Sequence, residues 1–562
     1  MSAVGTNLTL TGQLSNNASE QPFLNLCKLG QGWYTLNSSN ADNGEEATLY
    51  SSHLDANGYP TSLSFGTTTK VFFQCNFVIG NSGGLVTYPY LPGNYIFLYD
   101  GSTGSEVFSF GGDASVVSGL GTGRVVLNVA TPNVGIYITY GPGPAIATNF
   151  RLVYSPYESL LAGGEIFNPD FITRITPFKT LRFMDWLSTV TLNQTPTVTW
   201  GNRNTQNWVF WNDNRTSSTP QTNAGIPIEV CIALCNEIGA DGYFNVPFLA
   251  DDTYIANYAS LVHSNLNSNL SAYVEYGNEL WNGVWGTGVG AQLTTNGKAI
   301  FSGMVPGTDQ QYAWQYGIRQ MVRCGLIWKS TWGADAGRVH RVLGGQNTGD
   351  SSVPVAGGWS SYVIATNSND FSGPTFWESP LAGSSTGTAA QNSDFLCVAP
   401  YFGQAYYTYT AGISVSNTFV ELLSGGVVSG GYPGGECLEV INAFTENYNI
   451  ATAVGLRLIS YEGGNNLGGG VNGATFLTCQ TDSRMTTVYD TILNAWFALS
   501  NIGPFIHYTD IADINSAGAY WGALVNVQQT TSIKYAALLS FITPPPSPPT
   551  AVIPIPMGQA WM

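Results

Sequence analysis

Ala272-Tyr273-Val274-Glu275-Tyr276-Gly277-Asn278-Glu279 is the stretch on which the fold of this chain turns. It opens as a run of aromatic and β-branched strand formers, reaches a glycine, and places Asn278 and Glu279 just beyond the strand's end. Upstream lies a helical pattern near Asp251 to Asn265, and before that the strand Gly242-Tyr243-Phe244-Asn245-Val246. The helix Ile226 to Ile238 and the strand Thr180 to Trp186 come earlier still. Strands alternating with helices imply parallel pairing through right-handed crossovers.

Downstream the alternation continues. A helix near Asp309 to Cys324 precedes the strand Arg338 to Leu343, and the strand Asp394 to Pro400 follows. The strand Leu456-Arg457-Leu458-Ile459-Ser460-Tyr461-Glu462 comes next. A helix from Ser483 to Leu499, the strand Pro504 to Tyr508 and a helix around Ser532 to Phe541 close the series. Seven β/α steps are plain, and the eighth strand is expected near Phe150 to Tyr154 or shortly after. Such a series fits a (β/α)₈ TIM barrel with long loops better than an open sheet. Asn168-Pro169-Asp170 carries a cap residue and a first-turn proline for the helix before Thr180.

Before Ser155 the pattern is all-β. Val71-Phe72-Phe73, Tyr95 to Tyr99 and Val125-Val126-Leu127 recur between turn clusters such as Asp100-Gly101-Ser102-Thr103-Gly104. Short strands with regular turns suggest a sandwich or jelly roll. The expected organisation is multidomain, α/β plus all-β. Residues 1–155 form an N-terminal, jelly-roll-like β-sandwich, residues 156–543 the C-terminal barrel, and residues 544–562 a proline-rich tail.

Composition narrows the function. Of 562 residues only 9% are charged, against roughly 25% in an average soluble protein, while 13% are aromatic. Solvation must come from Ser, Thr, Asn, Gln and Gly, as in proteins that meet neutral polymers. The net charge of −17 excludes a phosphate backbone as partner. No apolar run of about 18 residues exists, so no membrane span is expected. Met1 to Thr6 lacks the basic and apolar regions of a secretory signal peptide. The expected location is extracellular or virion-associated, reached through a removed leader or by lysis. Eight scattered cysteines favour buried free thiols, with one or two disulfides open. Four scattered histidines and no Cys/His cluster speak against a metal site, and no cofactor is expected.

In a barrel the reactive groups sit where strands end and loops begin. Glu279 and Glu462 both satisfy that rule, and as the ends of strands four and seven they would face each other across the mouth. One protonated and one ionised carboxyl flanking a sugar make glycosidic hydrolysis possible. Glu275 shares strand parity with Glu279, and an ion pair with a barrel-interior arginine is its expected role. For Arg182, site and structural roles are evenly matched. Trp200, Trp208 and Trp211 populate the loop after Trp186, where indoles can stack on sugars or pack on one another. His340 and His507 read as core or rim residues, and Asp251 as a helix cap.

Asn278-Glu279 with Trp281-Asn282, and the late strand ending Tyr461-Glu462-Gly463-Gly464, resemble the clan A glycoside hydrolases. Residues 178–186, 225–247, 250–252 and 273–282 look like a bacterial group of sandwich-plus-barrel proteins related to cellulases. The resemblance spans roughly residues 90 to 520. It implies Glu279 as acid/base, Glu462 as nucleophile, Asn278 on the sugar 2-hydroxyl and Arg182 orienting the nucleophile. It also implies Tyr401 bonded to the nucleophile and Trp521 as a stacking floor; Trp281 beside Glu279 and Trp211 on the long loop are substrate-binding candidates from their positions alone. One departure is that Tyr401-Phe402-Gly403 stands where clan members usually carry a histidine. The implied activity is a retaining endo-β-glycanase acting on a polysaccharide. The competing class is a non-catalytic carbohydrate-binding or structural surface protein, which has no need of an acid beside a nucleophile.

Overall fold

Eight short strands, drawn from both ends of the chain, make one parallel sheet: β1 (Val4–Asn7), β10 (Thr180–Arg182), β11 (Asp241–Val246), β12 (Ala272–Tyr276), β13 (Val339–Gly344), β14 (Phe395–Val398), β16 (Arg457–Ser460) and β18 (Phe505–His507). The computed structural model describes residues 4–8, 20–30, 32–75, 90–189, 199–211, 225–280, 286–302, 308–347, 389–403, 412–429, 431–512 and 520–542. The strand order is β16-β14-β13-β12-β11-β10-β1-β18, parallel at every pairing. The two ends then meet, since Ser460 N donates to Pro504 O at 3.1 Å and Gly503 N to Leu458 O at 2.7 Å. The sheet curls back on itself in the manner of a TIM barrel.

Inside lies a core of Tyr243, Tyr273, Val342, Phe395, Cys397, Ile459, Tyr461 and Ile506. Every residue of β12 is buried, as expected for strands covered on both faces. Outside, helices supply the second layer. The helix Ile228–Ile238 buries Cys231 and Cys235 and closes on Gly239 in the left-handed region at φ +68°. Asn168 and Asp251 cap their helices by accepting from Asp170 N and Tyr254 N. All eight cysteines are buried free thiols. Among the described residues no helix is long and apolar enough to cross a membrane.

The N-terminal reading needs correction. Phe150 to Tyr154 does not supply the missing barrel strand. It belongs to β9 (Thr148–Tyr154), antiparallel to β4 (Gly93–Asp100) with Ile96 opposite Val153. The missing strand is β1, so residues 4–7 are barrel and the all-β region is inserted between the first and second barrel strands. Four residues are too few to show a periodicity. What fixes β1 in place is fit: a Cβ on Gly5 would meet Thr180 O at 2.6 Å, so only glycine allows β10 so close.

The insertion holds two four-stranded antiparallel sheets. One is ordered β2 (Tyr34–Leu36), β3 (Lys70–Cys75), β8 (Ile136–Tyr140), β5 (Phe108–Gly112). The other is ordered β6 (Ala114–Ser118), β7 (Arg124–Val129), β4, β9. Phe97 of β4 lies 5.2 Å from Phe108 and 5.5 Å from Phe110, so the two sheets share an aromatic core. The short helix Glu46–Ser52 also lies here, in a region read from sequence as wholly β. Trp33, 5.0 Å from Phe210, ties this insertion to the barrel loop after β10. The helix Gly286–Phe301 was likewise not read from the sequence. The proline-rich tail lies outside the described residues.

Candidate active site

Arg182 organises the mouth of the barrel. It ends β10 and is fully buried, with its guanidinium among four acceptors on three other strands or strand ends. Nη1 donates to Glu462 Oε1 at 2.7 Å and to Asn7 Oδ1 at 3.0 Å. Nη2 donates to Asn278 Oδ1 at 2.6 Å and to Glu275 Oε2 at 3.0 Å. Burial opposes its charge, but Glu275 and Glu462 outweigh it and hold the guanidinium more firmly protonated than usual. Tyr243 and Tyr461 add their ring faces at 5.3 and 4.9 Å.

Glu275 is the inner partner. Besides Arg182 it accepts from Tyr243 Oη at 3.0 Å and Asn245 Nδ2 at 2.9 Å, which explains how a carboxylate is tolerated at 1% exposure. Its expected role as an ion-pair partner is what the geometry gives.

Glu462 is the outer partner, two residues past β16. Tyr401 Oη donates to its Oε2 at 2.8 Å, opposite the Arg182 contact on Oε1. Tyr401 opens β15 (Tyr401–Phe402), which pairs with β17 (Gly464–Asn465), so the tyrosine and Glu462 ride on linked segments. Burial pushes the Glu462 carboxyl up to about 8; Arg182 opposes this, Glu279 adds to it, and the Tyr401 bond opposes it again. The Glu279 effect places the second acid within electrostatic reach of the first.

Glu279 follows the turn Gly277-Asn278. Gly277 has φ +73° and Glu279 itself φ +47°, a backbone region that side-chain-bearing residues seldom adopt and that gathers at functional sites. Tyr461 Oη donates to Glu279 Oε1 at 2.7 Å. The mouth thus brings together Glu279, Glu462, Asn278, Arg182 and Tyr401, all of which the sequence singled out.

Beneath them Asn7, from β1, donates to Tyr461 O at 2.9 Å and His507 O at 3.3 Å while accepting from Arg182. Sequence reasoning missed it with the whole of β1. Tyr461 and Tyr508 were also missed. Tyr508 follows β18, donates to Asp185 Oδ2 at 3.1 Å, and sets its ring edge-on to Tyr401 at 6.3 Å and to Trp521 at 5.5 Å. Trp521 is partly buried, with its Nε1 on Asn466 Oδ1 at 2.7 Å.

Trp211 is elsewhere. It is buried edge-on to Phe23, with Lys28 over its ring, and lines a hollow of about 460 Å³ shared with Asn57 and Arg151. Trp200 packs on Tyr254 and under Arg203, as in a self-packed loop. Trp281 lies outside the described residues. His507 is buried between Tyr489 Oη and Thr509 O, and burial lowers it to about 3; His340 packs on Tyr273 and Phe395. Among the described residues no group of three or more His, Cys, Asp or Glu could hold a metal ion.

No family model matches the sequence, and no curated protein matches it. Among solved structures the chain is similar to a 4-O-alpha-L-rhamnosyl-beta-D-glucuronidase from Fusarium oxysporum 12S, at 12% identity and TM-score 0.33. That match covers 56% of this chain and 52% of the other, so the chain spans about half the length of that enzyme. It is also similar to an endo-1,4-beta-D-mannanase from Thermotoga petrophila RKU-1, at 11% identity and TM-score 0.32 over 66% of this chain and 93% of that one. A family 5 xyloglucanase from Paenibacillus pabuli matches at 12% identity and TM-score 0.34, over 67% and 90%.

Proposed function

We propose that the protein is a retaining glycoside hydrolase, an endo-acting β-glycanase, with Glu279 as acid/base and Glu462 as nucleophile. The observation that carries this reading is that two acids from different strand ends stand at one end of one barrel, each held by a phenol. Glu462 receives a guanidinium and a phenol; Glu279 receives the phenol of Tyr461.

The reaction needs one proton on the pair. Interacting carboxyls titrate as a unit, and the donors decide where the charge rests. Arg182 and Tyr401 both favour an ionised Glu462. Burial is the main influence that raises Glu462, and the Arg182 and Tyr401 contacts act against it. Glu462 then attacks the anomeric carbon while Glu279 protonates the departing oxygen. In the second half Glu279, now a base, takes a proton from the water that hydrolyses the glycosyl-enzyme.

Asn278 is fixed by Arg182 through its carbonyl oxygen, and no acceptor among the described residues meets its Nδ2. That N–H suits the sugar 2-hydroxyl, a bond that strengthens as positive charge develops. Trp521 and Tyr508 offer ring surface for the sugar. The two inserted sheets serve as a β-sandwich module that binds polymer, and the protein works outside cells or on a virion.

Reducing-sugar release from a panel of β-glucans, mannans, galactans and xylans tests the reading. Hydrolysis of at least one polymer is expected, with loss in Glu279→Gln and Glu462→Gln of about 10²–10⁴-fold or more. A wild-type protein inert on the whole panel would reject it.

A further inference from the structure

Asp185 stands three residues past Arg182, 9% exposed, where β10 opens into the mouth. Its Oδ2 accepts from Tyr508, and no donor among the described residues meets its Oδ1. A carboxylate with one oxygen fixed and one open is built to accept from something that arrives.

The surrounding charge says what can arrive. Arg182 is already matched against Glu275 and Glu462. Asp185 feels Arg182 and Asp510, and the Tyr508 phenol between them feels both Asp185 and Glu462. Behind Asp185, buried Glu20 is held strongly protonated, first by burial and then by Asp510 and Asp185. The loops offer little relief. The segments after the second to eighth barrel strands, residues 183–227, 247–251, 277–285, 345–392, 399–414, 461–472 and 508–532, contain only two basic residues, Arg203 and Arg215. The six of the long first connection include Lys28, which is bonded to Gln206 O and Trp208 O. Arg203 is paired with Glu229 at 2.6 Å. A sugar carboxylate or sulfate binds where a fork of arginine or an ammonium meets it. This mouth provides acids instead.

We propose that Asp185 is a specificity-determining residue: its open oxygen accepts a hydroxyl of a neutral glycan, and its charge turns away uronate-bearing and other anionic chains. The proposal rests on the hydrolase reading and names its substrate class. Burial, with a smaller push from Asp510, lifts the Asp185 carboxyl to about 6 against the Tyr508 hydrogen bond and the Arg182 charge, so it carries its charge at neutral pH. Tyr508 does the positioning. It locks Asp185 at one end of an aromatic wall whose other members are Tyr401, bonded to Glu462, and Trp521.

The test compares wild type, Asp185→Asn and Tyr508→Phe on neutral hexopolysaccharides and on the same polymers with part of their C6 hydroxyls oxidised to carboxylates. Wild type is expected to favour the neutral polymer in kcat/KM by about tenfold or more, a ratio that shrinks in high salt. Asp185→Asn narrows the ratio severalfold. Tyr508→Phe keeps the ratio, because the charge remains, while lowering kcat/KM on the neutral polymer. Retardation in native gels carrying either polymer reads the same preference without turnover, and thermal melts confirm that the variants fold. Equal handling of both polymers by wild type, or an unchanged ratio in Asp185→Asn, overturns the proposal. Preferential retardation by the neutral polymer with no hydrolysis of either overturns the hydrolase reading and leaves Asp185's role standing.

Discussion

Tyr461 and Glu462 are neighbours in the chain, yet the Tyr461 phenol donates at 2.7 Å to Glu279, the opposite acid. The seventh strand therefore supplies both one carboxylate and the hydrogen bond that holds the other. Tyr461→Phe removes that bond and keeps the ring that packs inside the barrel and over Arg182. The expected result is a fall in kcat/KM of about tenfold, equivalent to about 1.4 kcal/mol, with the melting temperature little changed. Steady-state kinetics beside a thermal melt separate the two quantities.

Arg182 has a different balance of effects. Its loss strands Glu275 and Glu462 in the interior, and breaking one side of a buried pair costs about 3–5 kcal/mol. Arg182→Lys offers one ammonium where four acceptors are spread around a planar fork, so it rescues little. Denaturant midpoints are expected to fall in Arg182→Met and nearly as far in Arg182→Lys. A large recovery with lysine would show that charge alone, without the fork, is sufficient.

The Tyr401 bond favours the ionised form of Glu462 and so draws its pKa down. In Tyr401→Phe that pull is gone, and the carboxyl sits higher. In the proposed mechanism the ionised form attacks, so the acidic limb of kcat/KM against pH is expected to move to higher pH, with activity at low pH falling most. An acidic limb that stays in place would separate Tyr401 from the nucleophile.

Lys534 is buried with its Nζ on Tyr520 O, and burial lowers it to about 7 from 10.5. Between those values the folded state binds fewer protons than the unfolded chain. Stability from this group is therefore full above pH 10.5 and is lost as pH falls through 7. Lys534→Met removes the group, so the variant's melting temperature relative to wild type is expected to be higher at pH 6 than at pH 10. A difference that does not vary with pH would contradict this account.

The β/α alternation was legible because the later strands and helices are long enough to show their period. Strand ends at Glu279 and Glu462 were legible for the same reason, as were the caps at Asn168 and Asp251. β1 was not. It is four residues long, and its partners β10 and β18 lie far along the chain, with Thr6 opposite Leu181 and His507. Tyr461 and Tyr508 were illegible for another reason: nothing local shows which acid a strand-end phenol will meet across a barrel. Trp211 misled because an indole on a long loop reads alike whether it faces sugar or, as here, Phe23 and Lys28.

The division of labour between the two acids is most directly tested by azide rescue with an aryl β-glycoside of the sugar the protein releases. Glu462→Ala lacks the nucleophile, so azide attacks the substrate directly, and the product is expected to be the α-glycosyl azide. Glu279→Ala still forms the glycosyl-enzyme, and azide then yields the β-glycosyl azide. The reverse pairing of products, or water-driven turnover undiminished in Glu462→Ala, would contradict the assignment.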